Sequence, residues 1–122
     1  MALKSTLVFG ASTKPQRYSN IAMKMLKEYD HSILAIGGRE GEFDGTSIVT
    51  GHPSFSDVDT ITMYMGADRQ KEHEEYLLSL KPRRIIFNPG AENPSLAKRA
   101  KEMGIEVIEA CTLVMLRTGQ YS

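Results

Sequence analysis

The sequence predicts an α/β protein of the Rossmann-like, doubly wound type: a single domain whose mainly parallel sheet of five to six strands carries helices on both faces. Three observations predict it. Short apolar, β-rich runs alternate along the chain with segments whose apolar residues recur at helical spacing, which is the pattern of parallel strands joined by crossover helices. The first such run, Thr6-Leu7-Val8-Phe9, ends directly in a small-residue turn, Gly10-Ala11-Ser12-Thr13-Lys14-Pro15, with a helical pattern soon after. The unusual residues that follow the strands fall on what right-handed crossovers would make one edge of the sheet.

The first strand is read at Ser5 to Phe9. Ser19 is a candidate N-cap, and Ile21, Ala22, Met25, Leu26 and Tyr29 mark one buried helical face. Ser32 to Ile36 reads as a second strand, stopped by Gly37-Gly38. Residues 39 to 46 are charged and lack a helical period, so a loop is expected there. Ser47 to Thr50 reads as a short third strand and Ser54 to Val58 as a single helical turn. Thr60 to Met65 is a fourth strand in which Met63 and Met65 point to one face, and Asp68 to Leu80 is helical. Arg84 to Phe87 is a fifth strand. Pro94 sits at a first-turn position, followed by Leu96, Ala97, Ala100 and Met103, with Gly104 as C-terminal cap. Ile105 to Ile108 is a sixth strand and Thr112 to Arg117 a last helical turn.

The 122 residues suit one domain with its own core, balanced at 15 basic and 15 acidic side chains. The charge is not clustered as a nucleic-acid footprint requires. No stretch approaches the roughly 20 apolar residues of a membrane span. The segment Met1-Ala2-Leu3-Lys4-Ser5 lacks a signal peptide's long apolar region, and Cys111 is the single cysteine. A cytoplasmic location is therefore expected, because a lone cysteine forms no internal disulfide.

A strand ending in a small-residue turn before a helix admits a phosphate: the backbone approaches closely and the helix presents free N–H groups and a partial positive charge. The dinucleotide fingerprint Gly-x-Gly-x-x-Gly is not met, since Ser12 and Pro15 stand at its second and third glycines. The second strand ends in Gly37-Gly38-Arg39 rather than in the acid that a NAD ribose calls for. Arg39 suits a phosphorylated ribose, as in NADP or coenzyme A, and Lys14 adds a cation near the diphosphate. A dehydrogenase would need a further substrate domain, for which little chain remains.

These residues resemble the stand-alone coenzyme A-binding proteins, which are similar to the N-terminal domain of the succinyl-CoA synthetase alpha subunit. The likeness runs from about Thr6 to Leu116. Gly10-Ala11-Ser12-Thr13-Lys14-Pro15 looks like the family's phosphate turn, and Gly37-Gly38-Arg39-Glu40-Gly41 like its basic loop near the ribose phosphate. His52-Pro53-Ser54 matches a step into a short helix, Asn88-Pro89-Gly90 a loop flanking the pantetheine arm, and Glu109-Ala110-Cys111 the place of a cysteine after the last strand. The chain departs from the family pattern after the second strand, where many members have Val-Asn-Pro. It departs again after the fourth, where members often carry an Arg and here Met65-Gly66-Ala67 comes first, with Arg69 later. The resemblance implies coenzyme A or an acyl-CoA as ligand. It places the diphosphate on Gly10, Ala11, Ser12 and Thr13 with Lys14, and the phosphorylated ribose at Gly38 and Arg39. Met65 is set near the adenine, Gly66, Asn88, Pro89 and Gly90 along the pantetheine, and Cys111 near the thiol end.

No catalytic residue and no metal site are expected. His31 and His73 read as surface residues, and His52, Tyr18 and Cys111 have no evident catalytic partner in sequence. The leading reading is a non-catalytic coenzyme A-binding domain that delivers or senses its ligand for a partner enzyme or as a homodimer. Its rivals are a small NADP-dependent oxidoreductase or acyl-transfer enzyme, and a regulatory interaction module without nucleotide affinity.

Overall fold

The computed structural model describes residues 5–121. Seven strands form one sheet: β1 (Ser5–Phe9), β2 (Ser32–Ile36), β3 (Gly41–Phe43), β4 (Thr46–Val49), β5 (Val58–Met63), β6 (Arg84–Phe87) and β7 (Glu106–Glu109), in the order β3-β4-β2-β1-β5-β6-β7. All neighbours pair in parallel except β3 and β4. Leaving out β3, the six parallel strands follow the doubly wound order 3-2-1-4-5-6, whose order reverses between β1 and β5. The helices are α1 (Tyr18–Glu28), α2 (Ala67–Gln70), α3 (Glu74–Ser79), α4 (Pro94–Glu102) and α5 (Thr112–Arg117).

Side chains alternate across the sheet and fill two cores. Leu7, Phe9, Ile61, Met63, Ile85 and Phe87 point to the face covered by α3 and α4, where Leu77, Leu96 and Ala100 meet them. Val8, Ile33, Ala35 and Ile86 point to the other face, against Ala22, Met23 and Leu26 of α1 and Leu113 and Leu116 of α5. The central strands are buried on both faces, so they read as continuous apolar runs.

The amino end of the sheet is closed. Tyr121 lies across it: its hydroxyl bonds Thr6, its ring packs on His31, and the buried Arg84 guanidinium sits 4.4 Å over that ring and donates to the Tyr121 carbonyl. The carboxyl end is open, and β1, β2 and β5 deliver their loops there.

Several expectations are corrected. The segment expected as a loop at 39 to 46 contains β3, paired antiparallel to β4 through a two-residue turn in which Asp44 and Gly45 both take positive φ. That Asp-Gly pair is a type I′ hairpin signal, masked by the shortness and charge of β3. The helical turn expected at Ser54 to Val58 is absent. Pro53 accepts a hydrogen bond from the Tyr76 hydroxyl at 2.8 Å, Asp57 turns the chain at φ 59°, and Val58 already pairs in β5. The helix expected at Asp68 to Leu80 is broken by a 3-10 turn at Lys71–His73. Tertiary bonds cause the break: Gln70 and Glu74 turn inward to Asn93, while His73 is drawn to His52. Ser19 is not a cap, because α1 starts at Tyr18, with Arg17 as the extended residue before it. Tyr29 and Met103, expected on buried helix faces, are about half exposed.

His73 is not a plain surface residue. Its Nδ1 lies 2.7 Å from His52 Nε2, its ring meets Phe9 edge-on at 5.1 Å, and His52 stacks on Tyr76 at 4.5 Å. These rings tie the loop after β4 to the 3-10 turn. Burial holds the His73 imidazole below its ordinary value, and the neighbouring His52 and Arg69 charges act in the same direction against Glu72. The unfolded chain therefore takes up this proton first. Stability contributed here is complete above about pH 6.5 and declines as pH falls from there to the lowered native value. Urea unfolding at pH 7.5 and 5.5 should show a lower midpoint at the acid pH, and a smaller drop in His73→Gln.

Candidate functional site

The cleft at the carboxyl end begins with how β1 stops. The Gly10 and Ala11 N–H groups both donate to the Ile36 carbonyl at 2.9 Å, which folds the turn back over the end of β2. Gly10 has φ 99°, and a Cβ there would lie 3.1 Å from the Tyr64 and Met65 backbone. At Gly37 a Cβ would lie 2.3 Å from the Ala11 carbonyl oxygen, so only glycine fits without displacing the turn. The Ser12 hydroxyl accepts from the Lys14 N–H at 3.1 Å, and Asn20, buried in α1, donates to the Ser12 carbonyl at 2.8 Å.

The Gly10 and Ala11 N–H groups are spent inside the protein, and the Lys14 N–H is bonded to Ser12. Among the described residues, the N–H groups of Ser12 and Thr13, and of Tyr18 and Ser19 at the start of α1, have no protein acceptor. Unsatisfied donors at a helix start are where an anion is stabilised.

The resulting cleft measures about 660 Å³ and is lined by Gly10 to Lys14, Arg17, Tyr18, Ser19, Gly38, Arg39, Glu40, Tyr64, Met65, Arg69 and Pro89. Of the sequence-predicted residues, Gly10, Ala11, Ser12, Thr13, Lys14, Gly38, Arg39, Met65 and Pro89 converge there, while Gly66, Asn88, Gly90 and Cys111 do not line it. Asn88 is buried and committed to the scaffold: its amide donates to Thr62 and to the Met63 carbonyl, and its Oδ1 accepts from the Thr112 N–H at 2.8 Å. Cys111 is half-buried just before α5, against the core on the α1 side.

Not among the sequence-predicted binding residues are six that line the cleft: Arg17, Tyr18, Ser19, Glu40, Tyr64 and Arg69. Arg17 and Arg69 stand on helix starts whose position depends on the fold. A Cβ on Gly38 would lie 3.7 Å from the Arg69 guanidinium, so the loops after β2 and β5 face each other closely. Among the described residues, Lys14, Arg17, Arg39 and Arg69 form no ion pair. A chain with no net charge thus collects four free cations and one carboxylate, Glu40, around one cleft. Burial pushes the Tyr64 phenol up to about 12, against the opposing pull of the Thr62 and Thr112 hydroxyls. Those two hydroxyls already bond each other at 2.8 Å, and the Tyr64 hydroxyl makes no well-formed bond of its own. It stays protonated at neutral pH. No cluster of three metal-ligating side chains occurs among the described residues.

Sheet order, switch-point cleft and small-residue turn define a Rossmann-like α/β domain. Residues 4–117 match the family model described as CoA binding domain, and the chain belongs to that family. It is similar to an uncharacterized protein of known crystal structure, at 42% identity and TM-score 0.93, covering 98% of this chain and 99% of that one. It shares its fold with a protein from Thermus thermophilus (22% identity, TM-score 0.82, 97% and 90% coverage). A hypothetical protein from Pyrococcus horikoshii also shares it (20% identity, TM-score 0.85, 95% and 83% coverage). Curated proteins yield no match. No helix among the described residues is long and apolar enough to cross a membrane.

Two glycine substitutions test the turn. Gly37→Ala should lower unfolding free energy by about 1–3 kcal/mol, as overpacking does, and shift the amide resonances of residues 10–13. Gly38→Ala, whose Cβ meets only ordinary contact, should stay within about 0.5 kcal/mol of the parent. Denaturant titration with amide spectra reads both.

Proposed function

We propose that this domain binds coenzyme A or an acyl-CoA without transforming it, and holds it for a partner enzyme or a second copy of the chain. The observation that carries the reading is the set of four unpaired cations around a switch-point cleft that also offers free N–H groups. A diphosphate fits against the Ser12 and Thr13 N–H groups and the start of α1, with Lys14 and Arg17 supplying charge. Arg39 and Arg69, on the facing segments after β2 and β5, suit the phosphorylated ribose, where a planar guanidinium can bind two oxygens at once. Met65 and Pro89 then flank the exit that the pantetheine arm would take. Membership of a CoA binding domain family supports this ligand over other phosphorylated nucleotides.

A binding role is favoured over catalysis because the cleft gathers cations and backbone donors. Cys111 and the His52–His73 pair are not among its lining residues. Arg39 is the one feature that favours a second reading, since an Arg near the end of β2 also accommodates the 2′-phosphate of NADP.

Calorimetric titration of the reduced protein with coenzyme A, dephospho-coenzyme A and NADP at one salt concentration separates these readings. Coenzyme A should bind tightest. Arg39→Ala should weaken it about tenfold or more, toward the dephospho ligand, because one charge-assisted contact contributes roughly 1.5–3 kcal/mol. Tighter binding of NADP would contradict the proposal, as would no binding of any ligand in both calorimetry and thermal-shift measurements.

A further inference from the structure

We propose that Gln70 is the positioning residue that sets the width of the cleft's β5–β6 wall, and so governs affinity for the extended arm of the ligand while leaving the nucleotide end alone. Gln70 is the last residue of α2 and is fully buried. Its Nε2 donates to the Met65 carbonyl at 2.7 Å and to the Ala91 carbonyl at 2.8 Å. One side-chain amide thereby spans the loop after β5 and the loop after β6. Met65 and Pro89, carried by those two loops, line the cleft.

The orientation of the amide is fixed by its neighbours. Both carbonyls can only accept, so the NH2 group must face them. Oε1 is left to accept from Asn93 Nδ2 at 2.9 Å. Asn93 in turn donates to Glu74 at 3.1 Å and caps α4 by accepting from the Leu96 N–H, and Glu74 is held by Arg99 at 3.3 Å. The amide groups of Gln70 and Asn93 are therefore fully used, in a buried network anchored on α3 and α4. An apolar residue of the same length would fill the space but leave two carbonyls unpartnered, and they would turn toward the water of the cleft. Both loops would then lose their common reference. The turn at Gly10 to Lys14 has its own bonds to the Ile36 carbonyl and Asn20, and the loop that carries Arg39 starts from the Gly37 N–H bonded to the Val49 carbonyl at 2.9 Å, so neither is bonded through Gln70.

This assignment rests on the coenzyme A reading for its ligand but not for its structural claim, and the experiment separates the two. In Gln70→Met, and in Gln70→Asn, whose shorter amide cannot reach both loops, coenzyme A affinity should fall about tenfold while the affinity for 3′-phosphoadenosine 5′-diphosphate, which keeps the nucleotide end and lacks the arm, changes less than twofold. In the ligand-free variants, hydrogen exchange at Gly90 and Ala91 should quicken at least tenfold, with amides in β1 and β6 unchanged. Equal losses for 3′-phosphoadenosine 5′-diphosphate and coenzyme A, unchanged affinity for both, or a uniform rise in exchange across the sheet would overturn the assignment. If the parent binds neither ligand, the coenzyme A reading fails. Exchange at Gly90 and Ala91 then decides the positioning role alone: selective acceleration upholds it and parental rates refute it.

Discussion

The cleft depends on one close approach: the Ala11 carbonyl lying against Gly37. A side chain at Gly37 would place its Cβ 2.3 Å from that oxygen, and one at Gly10 would press on the Tyr64 and Met65 backbone. Two missing side chains thus let the turn after β1 sit between the ends of β2 and β5. The Ile36 carbonyl locks the arrangement by accepting from both Gly10 and Ala11. Because β1 lies where the strand order reverses, the loops on its two sides lead to opposite faces of the sheet, and the gap between them is the cleft.

That geometry decides which donors remain for a ligand. The glycine of the turn serves the approach of strands rather than direct donation, and from Ser12 to Ser19 the N–H groups without a protein acceptor are, among the described residues, those of Ser12, Thr13, Gln16, Tyr18 and Ser19. Charge follows the same logic. Arg83 pairs with Asp59 and Arg99 with Glu74 and Glu75 away from the cleft, whereas the cations around it are left without carboxylate partners. A zero net charge conceals this separation of paired from unpaired cations. Opposite the turn, side-chain amides brace the loops: Asn88 joins β5, β6 and α5, as Gln70 joins the loops beyond β5 and β6.

Much of this was legible in the sequence where local pattern and tertiary demand agree. Ser5–Phe9, Arg84–Phe87 and Thr112–Arg117 fall where apolar runs and turn residues placed them. Gly10 and Lys14 were found because a small-residue turn after a strand has a local signature. What escaped depends on partners distant in sequence. Residues 68 to 80 have helical periodicity throughout, yet the 3-10 turn arises from His52, 21 residues before His73, and from Asn93, 23 after Gln70. Asn88 looked like a ligand contact because polar residues in loops after strands commonly are. Its side chain is instead taken up by Thr62 and the Thr112 N–H. Arg17 carries no motif and Arg69 stands later than the Arg that the family often has after the fourth strand, so only the fold brings them to the cleft. The Asp44-Gly45 hairpin signal was present and was obscured by a three-residue partner strand.

The central claim is that the turn after β1, with the cations around it, is where coenzyme A binds. Amide spectra recorded through a titration with coenzyme A test it most directly. The account predicts saturable shifts concentrated at Ser12, Thr13, Tyr18 and Ser19, extending to Arg39, Met65 and the residue after Pro89, with the α4–β7 surface around Lys98 and Glu109 silent. Saturable shifts centred on that surface, or no shifts at the turn at saturating ligand, would contradict it.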